Sequence, residues 1–228
     1  MLLTNLAQKY SRLEAWFYDY VIAERALNLH IYLLKSGKME DVLAVKKERS
    51  LLDVGCGGGH FAIRLKELYP HVQLTGIDLS PDQITRAMQR AQQKELSMTF
   101  EVADAQALPY PDASFDIVYS FGSAKHWPDP LKGVGECWRV LKPGGEFLVA
   151  DATSDATPEQ VANFYTIAGF PDFFKKPATA ILYRRLFHPA RSIERYRQIA
   201  DHLQMPQGTV SQLPSMPAFL FCTRKPQM

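Results

Sequence analysis

The chain has 228 residues, 46% hydrophobic and 22% charged, with a formal net charge of +2. That length supports one good core and is short for two full domains; the composition is that of an ordinary globular protein, and the charge does not suggest wholesale nucleic-acid binding. Cys56, Cys137 and Cys222 are odd in number, widely spaced and without a CxxC pair. This argues against a disulfide framework or a structural zinc site and predicts a reducing, cytoplasmic setting. No apolar run is long enough to span a bilayer. The first twenty residues, MLLTNLAQKYSRLEAWFYDY, carry Lys9, Arg12, Glu14 and Asp19 and do not read as a signal peptide.

Taken in chain order, residues 1–49 predict a helical segment, because Leu13, Phe17, Tyr20, Val21, Leu27 and Ile31 recur near helical spacing. From position 50 short apolar runs alternate with helical patterns. Strands are predicted at 50–54, 72–77, 98–103, 115–120 and 146–150, with helices near 59–69, 81–95 and 130–141. Ser80-Pro81 supplies an N-cap hydroxyl and a proline at the first helical position. Lys142-Pro143-Gly144-Gly145 reads as a stop followed by a tight turn. A helical insertion follows across about 152–207, and 208–213 and 218–224 are strand-like. Strands alternating with helices require crossover connections, so residues 50–228 predict one α/β domain: a Rossmann-like, doubly wound, mostly parallel sheet with helices on both faces.

The segment LLDVGCGGGHFAIRL places Gly55, Gly57 and Gly59 where the first strand would hand over to the first helix. In such sheets ligands bind beyond the carboxyl ends of the strands. His60 stands where a dinucleotide fingerprint would have its third glycine, and the Gly-Lys-Ser/Thr of a phosphate-binding loop is missing. The loop therefore suits a ligand with less anionic charge. Asp53 precedes it, Asp78 closes the second strand in position to accept from a ribose diol, and Asp104 closes the third within reach of an amino group such as that of adenine. A ligand ringed by carboxylates should be cationic or zwitterionic, and S-adenosylmethionine fits. Cys56 reads as a small filler, and Asp116, at the opposite end of its strand, as structural.

Together, DVGCGGG, GIDLS, ADAQALPYPDASFDIVYS, HWPDP and WRVLKPGG, in this order over about residues 50–151, resemble the class I S-adenosylmethionine-dependent methyltransferases. The resemblance is to the broad small-molecule group labelled type 11 or UbiE-like. It implies that Asp53, Gly55, Cys56 and Gly57 border the methionine portion of the cofactor. Asp78 would hold the ribose hydroxyls, Leu79 would pack on the adenine, and Asp104 with the Ala105 N–H would address its edge. Ser120 and Phe121 would line the sulfonium end. The resemblance also implies seven strands, one of them antiparallel near the C-terminus. Where many relatives carry two adjacent histidines before Trp-x-Asp-Pro, this chain has Lys125 and then His126.

Methyl transfer from a sulfonium is an in-line displacement in which alignment is the main lever, and a base is needed only where the acceptor loses a proton. His126 is the candidate base. No metal is called for. Aromatic residues of the N-terminal segment (Tyr10, Trp16, Phe17, Tyr18, Tyr20) and of the insertion (Phe164, Tyr165, Phe170, Phe173, Phe174) would roof the acceptor, predicting a small organic molecule with an aromatic or apolar body. Two alternatives stand beside this reading. The basic run 175–197 could hold RNA phosphates, or the chain could be a cofactor-binding homologue without turnover.

Overall fold

The computed structural model describes Leu43 and residues 48–167, 190–206 and 208–227. All of the expected N-terminal helical lid except Leu43, Glu48 and Arg49, together with Phe170, Phe173, Phe174 and the Lys175–Arg185 part of the basic run, lies outside the described residues, as does the side chain of Tyr165.

Beta-strands and helices alternate as the periodicity predicts. In chain order they are β1 (Ser50–Val54), α1 (His60–Leu68), β2 (Gln73–Asp78), α2 (Pro81–Gln93), β3 (Thr99–Val102) and β4 (Phe115–Phe121), then α3 (Pro130–Val140), β5 (Leu141–Ala152), α4 (Pro158–Ile167), α5 (Ile193–His202), β6 (Thr209–Gln212) and β7 (Ala218–Arg224). The seven strands form one sheet in the order β3-β2-β1-β4-β5-β7-β6. β1 to β5 run parallel, and β7 enters antiparallel between β5 and β6. The order reverses between β1 and β4, so the carboxyl ends of those strands flank the crevice where such sheets take ligands.

Strand alternation sorts the core into two layers. Leu51, Leu74, Ile117, Tyr119 and Leu148 pack beneath α1 and α2, whereas Leu52, Val54, Val118, Phe147 and Val149 pack against α3 and α5. Ser80 Oγ accepts the Gln83 N–H at 3.4 Å and Pro81 opens α2, as Ser-Pro predicts. Asp129 Oδ1 caps α3 in the same way, accepting from the Lys132 N–H at 3.2 Å. The turn expected at 142–145 is absorbed into β5: Leu141 pairs with Phe115 but Glu146 already pairs with Ile117, so the extra residues bulge out of register. Gly144, at φ 74°, makes this bulge possible without a side-chain clash. The bulge meets β7's exit through the Gly144 N–H to Lys225 carbonyl bond (2.8 Å) and its counterpart from the Lys225 N–H to Gly145 (2.9 Å).

At the amino end of the sheet Asp116 joins three elements. Its Oδ2 accepts from the Ser50 N–H (2.9 Å), the Ser50 hydroxyl (2.7 Å) and the Lys142 ammonium (2.9 Å). Partial burial pushes this carboxyl upward, but the Ser50 and Lys142 donors outweigh it and hold the group below the ordinary aspartate range. Such a group stabilises the fold above the unfolded-state pKa, and the gain is lost as pH falls through the folded value. Asp116→Ala should therefore cost about 1–2 kcal/mol near neutrality. Urea unfolding at neutral and strongly acid pH checks this, with the gap between wild type and variant closing at the acid end.

Candidate cofactor and acceptor site

The glycine loop turns on three residues of positive φ: Gly55 (80°), Gly57 (52°) and Gly59 (77°). A Cβ at Gly55 would lie 1.9 Å from Ser123 Oγ, so only glycine lets the loop after β4 come this close. A Cβ at Gly57 would meet nothing within 4 Å, which leaves that main chain facing open space. The loop is tied down at the end of β2. The Ile77 carbonyl accepts from both the Gly55 and Cys56 N–H groups at 2.8 Å. Asp78 Oδ2 accepts from the Gly57 N–H at 3.0 Å, and Oδ1 from the Ser80 N–H at 2.9 Å. Burial raises Asp78 above the ordinary aspartate range while those N–H donors pull it back.

Asp53 is 3% exposed. It lies in register between Gly76 of β2 and Tyr119 of β4. Burial raises its carboxyl to about 8, the Tyr119 phenol lowers it and the negative Asp78 raises it further. The Tyr119 hydroxyl faces it without a well-formed hydrogen bond to any described residue. Cys56 is pushed well above the ordinary thiol range by burial and by Asp53 and Asp78, so its thiol stays protonated and inert.

Leu79, next to Asp78, is 54% exposed, and Val102 at the end of β3 is 53% exposed, so two apolar side chains flank the acidic edge in open space. Asp104 Oδ1 accepts from the Gln106 N–H at 2.9 Å and organises the loop after β3, while Ala105 packs partly onto the α3-side core. That loop is latched from α3: Glu136 accepts from the Leu108 N–H at 2.8 Å, and Arg139 donates to the carbonyls of Tyr110 (2.7 Å) and Leu108 (3.0 Å). Gln106 Oε1 also accepts from the Asp129 N–H at 2.8 Å. The separated motifs are thus one interlocked surface.

Ser120 and Phe121 end β4. Ser120 is fully buried, with no partner for its hydroxyl among the described residues. Phe121 packs edge-on against Phe61 with ring centroids 5.0 Å apart. Beyond them a 3-10 turn, Ala124–His126, follows. Lys125 is 7% exposed and Asp151, at the end of β5, is 3% exposed. The Lys125 ammonium donates to Asp151 Oδ1 (3.0 Å) and the Gly122 carbonyl (2.6 Å), and the Lys125 N–H to Asp151 Oδ2 (2.8 Å). Burial and the adjacent Lys125 charge lower the His126 imidazole to about 4, against an upward pull from Asp151. It is therefore neutral across the physiological range.

The structure gathers Asp53, Gly55, Cys56, Gly57 and Asp78 at one sheet edge, with Leu79, Asp104 and Ala105 beside them and Ser120, Phe121 and His126 across β4. Sequence reasoning missed Tyr119, Ser123 and Asp151. Asp151 had a legible signal, since it closes β5 as Asp78 and Asp104 close theirs; Ser123 had none, because its role depends on a neighbour distant in sequence.

A seven-stranded sheet of this order, with an antiparallel β7 and a glycine loop after β1, is the class I methyltransferase fold. Residues 52–149 match the family described as methyltransferase domain. A Deinococcus radiodurans demethylmenaquinone methyltransferase is 46% identical over 103 residues, 45% of this chain and 43% of that protein. A Synechocystis 2-methyl-6-phytyl-1,4-hydroquinone methyltransferase is 35% identical over 177 residues, 75% of this chain and 52% of that one. The chain spans about half the length of these curated relatives. A solved methyltransferase fold from Methanococcus maripaludis superimposes with TM-score 0.73 at 18% identity, covering 97% of this chain and 96% of that one.

The Lys125–Asp151 pair gives a direct test of how the floor after β4 is held. Lys125→Met leaves a buried carboxylate without its cation and should cost roughly 3–5 kcal/mol. Adding Asp151→Asn should recover part of that loss, as read from urea midpoints of the single and double variants.

Proposed function

We propose that this chain is an S-adenosyl-L-methionine-dependent methyltransferase that acts on a small organic acceptor. The observation that carries the reading is the pairing of open glycine main chain at Gly57 with the Asp78 carboxylate, whose oxygens are oriented by the Gly57 and Ser80 N–H groups. Bound cofactor would supply an electrophilic methyl group on a cationic sulfur. The donor set fits it: a carboxylate for a ribose diol at Asp78, an exposed apolar surface at Leu79 for a base, Asp104 and the Ala105 N–H for the base's polar edge, and the buried acid Asp53 for positive charge near the methionine portion.

In this reading Gly55, Cys56 and Gly57 contribute backbone to the methionine portion, and Ser120 and Phe121 stand toward the sulfonium end. Since both side chains of that pair are buried, they offer the ligand main chain. His126 takes the acceptor's proton where one must leave. The N-terminal segment 1–49 serves as the acceptor lid, and the setting is cytoplasmic; no described helix is long and apolar enough to cross a membrane. The aromatic segments and the two hydroquinone- and menaquinone-related relatives favour an acceptor with an aromatic ring and an apolar body. Turnover of labelled cofactor with any acceptor separates this from a non-catalytic homologue. Of the basic run, Arg197 sits 3.6 Å from Glu194, and salt-dependent binding of an RNA fragment would favour the RNA alternative.

Two outcomes test the assignments. Asp78→Ala should weaken cofactor affinity about 10- to 100-fold by calorimetry, the loss expected for a charged hydrogen bond, and unchanged affinity in a folded variant would remove the ribose role. His126→Gln should lower kcat about 100-fold toward an acceptor that loses a proton while leaving cofactor affinity intact. Because the neutral imidazole is the base, the wild-type kcat at saturating cofactor should fall on the acid side only near pH 4.

A further inference from the structure

Two buried carboxyl groups stand at the carboxyl edge of the sheet under opposite conditions. Asp151 has Lys125 at 3.0 Å. Asp53 has no cation: among the described residues no lysine, arginine or histidine pairs with it, although it is 3% exposed. The groups facing it are acids or neutral. β2 supplies Asp78, β4 the Tyr119 phenol and the glycine loop the Cys56 thiol, each coupled electrostatically to the Asp53 carboxyl. On the β2 side its register partner, Gly76, has no side chain, and Phe100 and Cys56 fill the space a Cβ there would need. His60 opens α1, and Arg90 of α2 is spent on the Gly58 carbonyl at 2.6 Å. An ionised carboxylate in such surroundings is costly and ordinarily takes up a proton.

We propose that the Asp53 carboxyl holds a proton in the empty protein and surrenders it to solvent when a cationic ligand settles against the glycine loop, so that cofactor capture and proton release are a single event. The proposal rests on the cofactor reading above. The balance is simple: the carboxyl O–H bond breaks, the proton goes to buffer, and the ligand's positive charge replaces it. The upward displacement of this group to about 8 supports the direction. A raised folded-state value means that the empty fold is stabilised at low pH and loses that contribution as pH climbs toward about 8.

The test is titration calorimetry with S-adenosylmethionine near pH 7, in phosphate and in Tris, whose ionisation enthalpies differ. Observed enthalpy should vary with buffer at a slope of about one proton released, and affinity should rise nearly tenfold from about pH 6 to about pH 7. Saturable binding with no buffer dependence overturns the proposal while leaving the cofactor reading intact; no binding at all overturns the cofactor reading itself. Asp53→Asn supplies a readout that needs no ligand. Its melting temperature should be flatter between about pH 5 and about pH 8 than that of the empty wild type, and parallel profiles would overturn the proposal.

Discussion

The Ile77 carbonyl accepts two N–H groups from the loop after β1, and the next residue, Asp78, accepts a third. This short seam between the end of β2 and the glycine loop is the constraint from which the site follows. It forces Gly55, Gly57 and Gly59 into backbone conformations that other residues rarely adopt. It also sets where α1 begins and leaves Ser123 room to close against Gly55. Phe100 packs beneath both Gly59 and Gly76, so the seam rests on the core and not on solvent. Without it the carboxylates would still exist, but the open main chain between them would not.

The carboxyl edge shows two ways of burying an acid. Asp151 is neutralised internally by Lys125, which fixes the chain beyond β4. Asp53 is left unmatched, and the neighbouring Asp78 adds to its isolation. A fold selected for stability alone would pair both or replace the second with an apolar residue. One carboxyl is thus matched inside the fold and the other is not.

Much of this was legible in the sequence because it is local. β1, β4, the Ser80 cap and the start of α3 follow from apolar periodicity and from Ser-Pro and Asp-Pro pairs, and they appear within a residue or so of their expected places. The hairpin of β6 and β7 follows from two short apolar runs, whereas its antiparallel docking beside β5 came from family resemblance. The early start of β5 was not legible, because Lys-Pro-Gly-Gly has the chemistry of a turn and only pairing with β4 and contact with Lys225 draw it into the sheet. In the site, carboxylates closing strands were readable one by one. The Arg139 latch, the Ser123–Gly55 approach and the Lys125–Asp151 pair join residues from 26 to 68 positions apart, and no spacing rule announces such contacts.

The two outermost strands, β3 and β6, are each four residues long. A run that short offers a foreign backbone few consecutive donors and acceptors to pair with, so neither margin is a good template for adding a strand. A seven-stranded sheet kept long in the middle and clipped at both borders therefore offers little backbone for edge-to-edge pairing.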